Sequence, residues 1–134
     1  MDKLALALLL SLAAAGCGPP IRNTPIAEIP KIATLAEVMD NQATVMDPLF
    51  KKIGQSQFSD EEWAAMTAAG NRVEATSVKI KDFSKGAEFD AVAMKLNQYA
   101  TDLTNSYTNK NAAAANDALA NMKATCKECH KKFR

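Results

Sequence analysis

Residues 112–134 read AAAANDALANMKATCKECHKKFR and end the chain. Ala115, Leu119, Met122, Cys126, Cys129 and Phe133 recur in steps of three and four. That is the spacing of one face of an α-helix, and it predicts a helix running to the last residues. Cys126 and Cys129 then stand one turn apart, with His130 beside the second. A single helix cannot bury such a stripe alone, so the preceding sequence must supply partners for it.

It supplies three. Ile32, Leu35, Met39, Gln42, Met46, Leu49 and Ile53 form one stripe, which Gly54 ends; Pro48 inside it is expected to kink the helix or remove a hydrogen bond. Ser59-Asp60-Glu61-Glu62 is a capping-box pattern that opens a second stripe: Trp63, Met66, Gly70, Val73, Ser77, Ile80 and Phe83. After a turn at 84–86, Phe89, Val92, Leu96, Tyr99, Leu103 and Tyr107 make the third, broken by Asn109-Lys110-Asn111. No useful length alternates with period two, so strands are not expected. The fold class is all-α: an antiparallel up-down-up-down four-helix bundle. Alanines on several seams predict close helix approach at one end and room at the other.

Towards the start, residues 4–15 are apolar but too short to cross a bilayer core, which takes about twenty residues. They match the hydrophobic region of an export signal. Ala14-Ala15-Gly16-Cys17 follows and resembles the lipobox of bacterial lipoproteins, which implies cleavage before Cys17 and its lipidation. The alternative is an ordinary signal peptide that leaves Cys17 as a spare thiol. Residues 18–30 hold four of the five prolines, so an extended tether is expected there. Three parts follow: a signal peptide over 1–16, a lipid anchor and tether over 17–30, and a helical domain over 31–134.

The strongest chemical motif is Cys126-Lys127-Glu128-Cys129-His130. In an exported protein this run reads as a c-type haem attachment site. Two cysteines on one helical turn can each form a thioether to a haem vinyl group, and His130, the chain's one histidine, then offers an axial imidazole to the iron. A zinc site would want a fourth ligand that the motif lacks. A dithiol redox centre usually sits at a helix start, where the dipole lowers a thiol pKa, whereas this pair lies in the last turns.

Cys126-x-x-Cys129-His130-x-x-Phe133-Arg134 at the end of a four-helix, exported chain resembles the class II c-type cytochromes, the cytochrome c′ family. The resemblance runs from about Lys31 to Arg134. It implies one covalent haem c wedged between the helices, with Phe133 packed near its proximal face. It also places Arg134 near the imidazole or a haem propionate; a solvated terminal arginine is the plain alternative. Function within the family turns on the sixth iron position, which is open in gas-binding members and filled by a first-helix methionine in low-spin electron carriers. Leu35-Ala36-Glu37-Val38-Met39-Asp40-Asn41 is similar to the low-spin pattern and puts Met39 at that position. Met46, one heptad on, is a second candidate, and Met66, Met94 and Met122 are expected in the core. Gln42 either hydrogen-bonds near the distal pocket or reaches solvent.

Three functions stay open: a single-electron carrier with His130 and Met39 as ligands, a five-coordinate binder of nitric oxide or carbon monoxide, and a haem-free structural lipoprotein with a thiol pair. No enzyme is expected, because neither a phosphate loop nor a catalytic acid pair is present. Sixteen Lys and Arg against fifteen Asp and Glu exclude a strongly basic nucleic-acid binder. Locally, Lys123, Lys127, Lys131, Lys132 and Arg134 face one acid, Glu128, which complements the helix dipole and suits an acidic redox partner. The resemblance also allows a homodimer. The expected location is the bacterial cell envelope, on the periplasmic face of a membrane through Cys17, or soluble in the periplasm under the plain-signal alternative.

Overall fold

The computed structural model describes residues 22–134, so the export signal, the cleavage site and Cys17 lie outside the described residues. Four helices follow in order: α1 Leu35–Phe50, α2 Asp60–Ile80, α3 Ala87–Ser106 and α4 Ala112–Phe133. Among the described residues there is no strand. The starts are fixed locally. Thr34 accepts from the Glu37 N–H, and Asn111 accepts from the Ala114 N–H. Ser59 and Glu62 close the expected capping box by exchanging side-chain and backbone bonds. Gly86, at φ 115°, adopts the left-handed backbone that lets the chain turn into α3. Pro48 stays inside α1, which ends two residues later.

Consecutive helices pack against one another in an antiparallel bundle; α1 rests mainly on α2 and touches α4 only lightly. The α2–α3 approach is close because Gly70 has no Cβ. One built there would lie 2.3 Å from Thr104 Oγ1 and 3.0 Å from the Ala100 carbonyl oxygen.

The interior divides into two clusters along the bundle axis. One, towards the α1–α2 and α3–α4 loops, is filled by Met46, Leu49, Trp63, Met66, Leu103, Leu119 and Met122, with Ala115 and Ala118 letting α4 in close. Asn116 fastens that end by accepting from the Gly54 N–H and donating to the Gln55 carbonyl, both at 2.8 Å. The other cluster contains Ile29, Ile32, Val38, Ile80, Phe89 and Ala93, flanked by half-buried Leu35, Met39, Cys129 and Phe133. Of the methionines expected in the core, Met66 and Met122 are there, whereas Met94 is exposed.

Two expectations need correction. The second half of the expected tether is packed structure: residues 26–31 form a 3-10 turn, and Ile29 is 1% exposed in the second cluster. Residues 22–30, hereafter the strap, cover a face of α1 outside its stripe, with the Arg22 and Thr24 N–H groups donating to Thr44 Oγ1 and Asn41 Oδ1. Val38 and Asn41 are therefore fully buried, while Leu35 and Met39 on the drawn stripe are only half-buried. No helix among the described residues is long and apolar enough to cross a membrane.

Candidate functional site

The sparse packing between α1 and α4 leaves a cavity of about 350 Å³, within the size range of cofactor sites. Its walls are Leu35, Met39, Ile80, Phe89, Cys129 and Phe133, with His130, Lys85 and Arg134 also on its lining. A second, small space of about 30 Å³ continues it inward to Gln42, Thr125 and Cys126. Met39, Ile80, Cys129 and His130 border both. The expected ligand residues therefore meet at one place, Met39 from α1 and the cysteine–histidine motif from α4.

Each is positioned by its helix. The last turns of α4 carry Cys126 inward, half-buried against the first cluster, Cys129 against the second, and His130 exposed at the cavity rim. Phe133 packs edge-on to Phe89, ring centroids 5.2 Å apart at 84°, which braces the end of α4 on α3. Lys85 donates to the Phe133 carbonyl at 2.7 Å and closes the same end. Met46, the other ligand candidate, is 3% exposed in the opposite cluster and borders neither space. One heptad separates the two methionines by about 10 Å along the helix axis, enough to put them in different layers.

Both motif thiols are free. Burial pushes the Cys126 thiol up to about 11, helped by the nearby Cys129 and Asp47. The Cys129 thiol is also raised by burial, with Lys85 opposing. Both shifts disfavour the thiolate, the opposite of what a dithiol redox centre requires. The donor set fits a haem instead: two thiols one turn apart, the next-door imidazole, a thioether across the cavity and an apolar wall. Lys85 and Arg134 on the lining would offer cations to the carboxylates of such a group, with Asp40 the one acid beside them.

Gln42 is buried rather than solvent-bound. Its Nε2 donates to Thr76 Oγ1 at 3.0 Å, and the Thr76 hydroxyl donates in turn to the Arg72 carbonyl at 2.9 Å. Sequence periodicity places Phe89 only in the core, and nothing local distinguishes Lys85, in the turn before α3, as a site residue. The basic set around the motif is partly neutralised. Lys132 pairs with Glu88 and Glu128, and Lys123 lies over the Phe50 ring at 5.9 Å. Lys127 and Lys131 are exposed and form no ion pair among the described residues.

The family model described as Cytochrome C' matches residues 31–134, and the chain belongs to that family of class II c-type cytochromes. No curated protein and no solved structure matches it. Membership implies a covalently bound haem c, so the chain is a haem c-binding cytochrome.

Proposed function

We propose that this cytochrome c′ family member carries single electrons, with one haem c held by Cys126 and Cys129 and ligated by His130 and Met39. The observation that supports it is the division of labour between the two methionines: Met39 borders the cavity with His130, and Met46 does not. When bound, the haem supplies an iron that alternates between ferric and ferrous states. The chain's own part is to hold and shield it. Cys126 and Cys129 fix the group to α4, and His130 orients from the same turn. Met39 brings a soft, neutral thioether that favours the reduced iron and raises the potential. Leu35, Ile80, Phe89 and Phe133 exclude water, which keeps the environment nearly unchanged between the two charge states. One histidine and one Cys-x-x-Cys-His run support a single haem.

The reading extends to location. Export to the cell envelope, attachment through a lipidated Cys17 and encounters with an acidic redox partner complete it, the last supported by exposed Lys127 and Lys131.

Substitution Met39→Ala tests the ligand. The wild-type ferric protein is expected to be low-spin and to show the far-red band of thioether ligation. The variant is expected to become high-spin and to bind carbon monoxide when reduced. A wild-type protein that is already high-spin overturns Met39 as ligand and selects the gas-binding alternative. Met46→Ala should leave the spectrum as it was.

A further inference from the structure

Arg72, on α2, is 9% exposed and has no carboxylate partner among the described residues. A buried guanidinium has to be satisfied by something. Here its partners are neutral oxygens, and two of the three belong to the strap. Nη1 donates to the Thr24 carbonyl and to Asn41 Oδ1 at 3.1 Å, and Nη2 donates to Asn23 Oδ1 at 2.8 Å. Asn41 closes the ring, accepting from the Thr24 N–H at 3.0 Å and donating to Thr24 Oγ1 at 3.1 Å. At its other end the strap is held by Lys79, which donates to the Pro30 carbonyl at 2.8 Å, and by Ile29 in the cluster beside the cavity.

A separate tie joins α1 to α2 at the cavity wall. The Thr76 hydroxyl, which donates to the main-chain carbonyl of residue 72 within α2, accepts from the Gln42 amide, and Gln42 borders the inner space together with Met39, one turn away on α1. Since α1 has only light contact with α4, its position is set largely by α2 and by what joins the two. The strap residues 22–30 precede the span matched by the family model.

We propose that the strap, pinned by Arg72, fixes α1 on α2 and thereby controls access to the sixth coordination position. Arg72 is a positioning residue: its guanidinium acts through Asn41 and through the strap on the helix that carries Met39. The inference rests on the haem occupying the cavity. Releasing the strap frees α1 to move away from α4, which raises the population in which an external ligand enters. Losing these charge-assisted hydrogen bonds is expected to multiply that population about tenfold.

The test is carbon monoxide association with the ferrous holoprotein by stopped flow, in wild type, Arg72→Met, Asn23→Ala and Ile29→Ala. Leu119→Ala, in the other cluster, serves as a variant that weakens the fold elsewhere. The expected result is an association rate raised about tenfold in Arg72→Met and several-fold in the two strap variants, with Leu119→Ala at the wild-type rate despite a lower Tm. Should Arg72→Met fail to fold, the two strap variants carry the test. Equal rates in wild type and strap variants overturn the proposal, and so does a rate that follows Tm in all variants including Leu119→Ala. A wild-type spectrum without thioether ligation overturns the Met39 assignment separately, and the strap is still judged by the relative rates.

Discussion

The two ends of this bundle are built from the same stripes and do opposite things. At the loop end, Trp63, Leu103, Leu119 and Met122 pack the interior, and Met46 is one filler among them. At the motif end, Ile80, Phe89 and Phe133 line a space instead of filling it, and Met39 borders that space. The same residue type on the same helix, one heptad apart, is packing material in one layer and a candidate ligand in the other. Neighbours decide which, because small residues close the first layer while sparse α1–α4 packing leaves the second open.

The sharpest break in the comparison is at the motif. Replacing Cys126 and Cys129 together by Ser should abolish covalent haem, read as complete loss of pigment from the protein after acid-acetone extraction; retained pigment would place the attachment elsewhere. Next, Met46→Ala should cost about 2–5 kcal/mol in denaturant unfolding, the range for truncating a buried long side chain. Its reduced spectrum should match wild type, and a change of spin state would erase the distinction between the layers. A smaller loss, about 1–3 kcal/mol, is expected for Gly70→Ala, since the added methyl meets the Ala100 carbonyl, which cannot rotate away. A stabilised variant would mean that α2 and α3 separate at no cost.

The smallest effect lies at the α2 start. The Lys52 ammonium at 2.8 Å and the Ser59 N–H hold the Glu62 carboxyl below its ordinary value. A depressed folded pKa contributes stability that is present above the unfolded value of 4.5 and is lost as pH falls through the folded value. Glu62→Gln should therefore flatten the acid side of the stability profile, with no effect on the visible spectrum at any pH.

Much of this was legible because it is local. The start of α2 is written in Ser59–Glu62, and the haem motif occupies five consecutive residues. The strap was not legible. Its prolines predict an extended chain, and what folds it onto the bundle is Arg72, 48 and 49 residues away from its partners Thr24 and Asn23. No periodicity encodes a pairing at that distance. The burial of Val38 and Asn41 was missed for the same reason, since an extra layer over α1 widens the buried arc beyond a two-residue-per-heptad stripe. Lys85 belongs with them: a turn residue whose role exists only once α4 ends beside it.

The strap also determines where the chain leaves the bundle. The Arg22 N–H donates to Thr44 Oγ1, partway along α1, so the described chain begins on the flank of the helices rather than at either tip. Cys17 is five residues earlier, and even a fully extended chain covers at most about 3.6 Å per residue, or about 18 Å in all. With an acyl group on Cys17, the domain would ride within about one bundle width of the lipid, held by its side. Its collisions with a membrane-bound donor or acceptor would then be confined to two dimensions, with the length of the leash setting how far it can reach.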